Sequence, residues 1–306
     1  MVELKKFFSL VKRNTKCYFK DKLTFFMSML TPLILLVLFV TFLRNVYISS
    51  FQGAFPEGFS VDSKLLDGIT GAWLMSSILS VSAVTVAFCS NLIMVDDKIN
   101  STVTDFQVSP IKPITLTLSY FASNFFVTFS VMMGVMLIGH IYLAAVGWYI
   151  SAGDFFMIIV DCVCGILFGT LLAGIIESFI KTQGALSAVA TLVSSMYGFI
   201  CGAYMPISSF SKGLQNILCC LPGTYSVGIL RNHYMGGYLD AFVEAGVPSE
   251  AIEGIKKGFD VDIYVFDNKV PLGAMYGILL GFCALLLAAY VAIIFFKNTG
   301  RKKAKR

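Results

Sequence analysis

The sequence predicts an all-α polytopic membrane protein with six transmembrane helices. Flanking elements are an N-terminal amphipathic interfacial helix, a cytoplasmic helix after the second span and a re-entrant hairpin before the last helix. Three observations predict this architecture. The 306 residues are 57% apolar and only 13% charged, whereas a soluble domain carries about 25% charged residues. Mean hydropathy is +0.80. Runs free of acidic and basic residues recur at the length needed to cross about 30 Å of hydrocarbon, roughly 20 residues at about 1.5 Å each.

Those runs are residues 23–43, 68–95, 113–153, 182–211 and 270–296, which supply spans 1, 2, 3, 5 and 6. Span 4, residues 155–180, contains Asp161 and Glu177. An acid at a helix centre costs about 2.5 to 3.5 kcal/mol, but both lie nearer the ends of a strongly apolar segment, so the span survives. One further run, residues 213–230, is cut by Pro222-Gly223 into halves too short to cross, and reads as a re-entrant hairpin from about 208 to 234.

Charge orients the bundle. Seven Lys or Arg precede span 1 and six follow span 6, so the positive-inside bias places both ends in the cytoplasm. The stretch 236–271, with seven Asp or Glu against three Lys, then lies outside. The net charge of +5 is therefore a signature of topology and not of nucleic-acid binding.

Ahead of span 1, Leu4, Phe7, Phe8, Val11, Tyr18 and Phe19 recur at helical spacing while Lys5, Lys6, Lys12, Arg13, Lys16 and Lys20 take the rest of the wheel. That pattern suits a helix in the membrane interface, its basic face toward anionic headgroups. The outer loop of residues 44–67 shows no periodicity. Between spans 2 and 3 a polar start at Asp96-Asp97-Lys98 leads into a short amphipathic helix with Ile99, Val103 and Phe106 on one face, stopped at Ser109-Pro110-Ile111-Lys112-Pro113. Such a helix either transmits force to a soluble partner or rests on the bilayer. Spans 4 and 5, joined by residues 181–184, are antiparallel neighbours. Past the hairpin, Pro248 begins a helix to Lys257, and residues 261–266 alternate as a strand would. The whole chain, 1–306, reads as one domain: 1–24 amphipathic helix, 25–204 spans 1 to 5, 205–271 hairpin and outer region, 272–296 span 6, 297–306 basic tail.

Enzymatic motifs are missing. There is no G-x-x-x-x-G-K-[ST] loop, no G-x-S-x-G and no H-E-x-x-H, and only two histidines, His140 and His233. The eight cysteines lack metal-ligand spacing and read as small apolar fillers. Among polar residues in the spans, Glu177 and Lys181, four apart, form an expected ion pair. Asp161 either contacts substrate or a cation, or reaches the outer headgroups. His140 reads as a satisfied interfacial histidine. Hydroxyl residues, notably Ser76 and Ser80 in span 2 and Thr191 and Ser194 in span 5, either line a pathway or permit close helix packing.

Two stretches carry a family resemblance. Gly198-Phe199-Ile200-Cys201-Gly202-Ala203-Tyr204-Met205-Pro206, then Leu221-Pro222-Gly223-Thr224-Tyr225 and Leu230-Arg231, resemble the G-x-x-x-P, L-P-x-T-Y and L-R pattern of type-2 ABC transporter permeases near the daunorubicin-resistance exporters. Asp97 through Ser109-Pro110 is similar to that family's charged segment ending in Ser/Thr-Pro. The resemblance implies that residues 100–107 are a coupling helix docking an ATPase through Asp97, Asn100, Val103, Phe106 and Gln107. It implies that residues 4–19 are the elbow helix, and that Pro206, Pro222, Tyr225 and Arg231 shape the hairpin. Implied partners are an ABC ATPase subunit and a second permease subunit, as homodimer or heterodimer, with spans 2 and 5 near a shared pathway in a bacterial plasma membrane. No cofactor would be bound by this chain, and ATP and Mg would sit on the partner. The uncharged pathway suits export of a drug, lipid or peptide, with a glycan or lipid-linked polymer as the alternative. A proton-coupled secondary transporter would need aligned titratable groups and an inverted repeat, which is not seen.

Overall fold

The computed structural model describes residues 2–55, 61–109 and 111–304. It is an all-α membrane protein with, among the described residues, six helices long and apolar enough to span a bilayer. Helix α1 (Val2–Lys20) is separated from α2 (Lys22–Leu38) by Asp21 alone. The Asp21 carboxylate accepts from the Leu23 and Thr24 amides, satisfying donors that the start of α2 leaves open. A π-turn, Phe39–Leu43, joins α2 to α3 (Arg44–Gln52), so the first span continues as one rod through Gln52. The predicted irregular loop at 44–67 is thus partly helical. Arg44 anchors it by donating twice to Asp67, at 2.5 and 2.6 Å. Residues 56–60 of that loop lie outside the described residues.

Span 2 is α4 (Ser63–Ile99), and it is the axis of the bundle. Of its most apolar window 83% is buried, against 18% for span 1 and 17% for spans 5 and 6. It packs on α6 (Pro113–Val146), α7 (Ala152–Ser178) and α8 (Gln183–Ile200). Small residues set the α4–α7 spacing: a Cβ on Gly169 would come within 2.3 Å of the Ala83 carbonyl oxygen, so only glycine allows the helices this close. Helix α8 is the shortest span, 18 residues.

After α8 the chain turns at Gly202, whose φ of +78° suits a residue without a side chain. A 3₁₀ turn, Ile207–Ser209, leads to α9 (Lys212–Leu218). The second arm of the hairpin corrects the expectation. Pro222 does not break a nine-residue segment; it sits in the first turn of α10 (Pro222–Glu244), a 23-residue helix packed on α4, α7 and α12. Proline has no amide to lose at that position, so it starts the helix rather than stopping it. Helix α11 (Ser249–Gly258) follows Pro248 as expected. The predicted strand shrinks to β1 (Tyr264–Val265), paired antiparallel with β2 (Asn268–Lys269). Their turn places Phe266 and Asp267 both at positive φ, the twist a two-residue hairpin favours. The last span is the start of α12 (Leu272–Ala304).

Candidate functional site

At the basic end, α1 and the ends of α4 and α6 surround the segment predicted to couple. Asn100 caps α4, and Ser101, at φ 61°, turns the chain into α5 (Thr102–Val108). Val103 and Phe106 of α5, with Ile111, pack on Leu10, Met94, Leu116 and Tyr120. Arg13 of α1 donates to both carboxylate oxygens of Asp97, Nη2 to Oδ1 at 2.9 Å and Nη1 to Oδ2. Its guanidinium also lies 5.3 Å from the centre of the Phe106 ring. Tyr120 donates to the same Asp97 at 2.6 Å. The Asp97 hydrogen bond raises the Arg13 guanidinium further above its ordinary value. A second tie joins α1 to α6, Thr115 donating to Glu3 at 3.0 Å and holding that carboxyl below the usual range.

These contacts correct the predicted docking set. Val103 and Phe106 face the protein's own interior, and Asp97 is 7% exposed and committed to Arg13 and Tyr120. The side that stays open carries Asn100, Thr104, Asp105 and Val108, with Val108 85% exposed. On that side Thr104 and Val108 stand one turn apart on α5, and Asn100 sits ahead of the Ser101 turn, at the end of α4. Of the predicted set only Asn100 lies there; the Gln107 side chain and Pro110 lie outside the described residues.

The intramembrane acids also find other partners. Helix α7 ends at Ser178, so the four-residue spacing of Glu177 and Lys181 no longer places them on one face. Glu177 instead accepts from Asn91 at 2.9 Å. Asp161 is wholly buried, between His233 Nδ1 of α10 at 2.7 Å and the Tyr276 hydroxyl of α12. It neither reaches the headgroups nor stands unpartnered. His140 Nδ1 meets the Met136 carbonyl at 2.8 Å, its ring packed among Trp148, Phe155 and Tyr234.

The span 2 hydroxyls turn into the protein. Ser76 donates to the Trp73 carbonyl at 2.7 Å, Ser80 meets Ser226 at 3.3 Å, and both are fully buried, so they pack helices and line no opening within this chain. Thr191 is exposed and bonds back to the Ser187 carbonyl at 2.8 Å; Ser194 is half-buried. Around them α8 presents Leu192, Met196 and Phe199 outward.

At the far end, the hairpin motif closes on itself and on α4. Thr224 and Tyr225 hydroxyls each donate at 2.7 Å to the Leu218 and Cys219 carbonyls, capping the end of α9. Buried Pro206 precedes the 3₁₀ turn. Arg231, 1% exposed, donates to Asp260 at 3.2 Å, Ser77 at 3.2 Å and the Gly202 carbonyl at 2.6 Å, and lies 4.9 Å over Trp73. Asp260 accepts in turn from the Ile207 and Ser208 amides. Burial pushes the Asp260 carboxyl up, against the pull of Arg231 and those amides.

The profile of the ABC-2 type transporter family matches residues 5–235. The chain belongs to that family. No curated protein and no solved structure matches it significantly. This ABC-2 protein is thus a permease component of an ABC-type transporter, a membrane-spanning part of the kind that works with an ATPase subunit. The matched stretch begins inside α1, takes in the Arg13–Asp97 clamp, α5 and the hairpin, and ends inside α10. Sequence reading missed Arg13, Tyr120, His233, Tyr276 and Asp260 as partners. The signal available for them was weak: isolated charges and phenols whose partners lie far away in the chain.

Proposed function

We propose that this permease exports a hydrophobic or amphipathic molecule, a drug, lipid or peptide, driven by ATP and Mg bound on a separate ATPase subunit. The observation that carries the reading is the open side of α5, Thr104, Asp105 and Val108 with Asn100 just ahead of it, on a helix held from behind through Phe106, Arg13 and Asp97. A helix packed on three neighbours moves with them, so a push on its outer side passes into α4 and α6 rather than being lost in a loose loop.

Both termini lie in the cytoplasm on this reading, in a bacterial plasma membrane. A second permease subunit, identical or related, covers outward apolar faces such as that of α8. The largely uncharged spans suit a lipophilic cargo better than a polyanion.

The test is purification from the native membrane in mild detergent, with mass spectrometry of co-purifying soluble subunits. An ATPase at near-equal amounts, its hydrolysis stimulated by lipophilic compounds, supports the proposal. Repeated purification alone, even after cross-linking, overturns it and directs attention to an ion gradient, with the Asp161–His233 pair as the first group to substitute.

A further inference from the structure

Helix α1 has three faces, not the two its sequence pattern implies. Leu10, Val11, Asn14 and Tyr18 are buried against the bundle. Beside them on the wheel, Leu4, Phe8 and Phe19 are exposed, at 60%, 59% and 44%. Next come Lys5, Lys12, Lys16 and Lys20, all exposed, with Lys22 just beyond. Ion pairs at this end join Glu3 to Lys6 and Arg13 to Asp97. Asp21, next to that row, is occupied in capping α2.

An apolar strip flanked by a row of lysines fits one surface, a bilayer leaflet rich in anionic headgroups, with Leu4, Phe8 and Phe19 at the acyl boundary and the lysines at the phosphates. Arg13 borders that lysine row and reaches the other way, to Asp97 at the end of α4 and to the Phe106 ring in α5. We propose that anionic lipid bound along α1 sets the position of α5 through the Arg13–Asp97–Phe106 clamp, making coupling dependent on lipid charge. The lipid site stands on the geometry of α1 alone; the effect on coupling rests on the function proposed above.

Hydrogen exchange on the full chain in vesicles tests both parts, with pure phosphatidylcholine compared with a phosphatidylcholine and phosphatidylglycerol mixture. Exchange in α1 and in α5 is expected to slow in the anionic vesicles. Replacing Lys12, Lys16 and Lys20 by glutamine removes the response of both helices, since each lysine is worth about a fivefold change in partitioning, about a hundredfold together. Asp97→Asn keeps the α1 response and loses that of α5. Equal α1 exchange in both vesicles overturns the lipid site. An α5 response that survives Asp97→Asn overturns the transmission. If the lysine variants change ATPase docking in neutral vesicles and leave lipid responses intact, the basic row serves the ATPase and the proposal falls. None of these exchange readouts requires the ATPase reading to hold, so its failure is distinguishable.

Discussion

Arg231 and Asp260 form an ion pair 3.2 Å apart, closed off from solvent, that joins α10 to the segment following α11. Because Arg231 also holds Gly202, Ser77 and the face of Trp73, this pair locks hairpin, axis helix and outer segment together. Removing one partner leaves the other buried without a counter-charge, a loss of about 3 to 5 kcal/mol. Arg231→Ala is expected to lower the thermal midpoint in detergent strongly. Arg231→Met combined with Asp260→Asn restores much of it, and equal losses in single and double variants would show that the pairing is not the cause.

Val108 and Phe106 separate docking from packing. Val108→Asp is expected to reduce ATP hydrolysis in the assembled transporter with no change in membrane insertion or thermal midpoint, because the side chain is open. Phe106→Ala instead destabilises the fold, by about 1 to 3 kcal/mol for a partly buried ring, and so lowers the midpoint. Full activity of Val108→Asp would remove the docking assignment from that stripe.

Tyr276→Phe deletes one donor to a carboxylate with no access to water. The expected cost is about 1 to 3 kcal/mol, read from thermal denaturation, with His233→Ala equal or larger. A silent Tyr276→Phe would mean that Asp161 is hydrated.

At Asp21 the Thr24 hydroxyl and amide, with the Leu23 amide, hold the carboxyl below its ordinary value. A carboxyl lowered by folding stabilises fully above its unfolded value, and the contribution disappears as pH falls through the lowered one. Protection of the first turn of α2 against exchange is therefore expected to persist into mildly acidic buffer and to fail only in strongly acidic buffer. Asp21→Ala loses it throughout, at about 1 kcal/mol.

What could be read from sequence was what lipid imposes. Five of the six spans follow from charge-free length and the fourth from apolar length despite Asp161 and Glu177, since backbone groups in hydrocarbon must be satisfied within a helix. The apolar period of Val103 and Phe106 was legible as well, but period shows that a face is buried and not which neighbour buries it. Pro222 shows the same ambiguity, because a proline that breaks a helix and one that begins it look alike in a row of letters. The polar partners were illegible for another reason. Arg13 and Asp97 are 84 residues apart and Asp161 and His233 are 72 apart, so only the packed fold brings them together.

The 18 residues of α8 rise about 27 Å, short of a hydrocarbon core of about 30 Å. Lipid beside its outward Leu192, Met196 and Phe199 must thin to meet it, at a cost of fractions of a kcal/mol per Å. A membrane of greater thickness raises that tension, and pairing this face with another protein surface releases it. Bilayer thickness thereby becomes a force acting on assembly, set by the cell's choice of acyl chains.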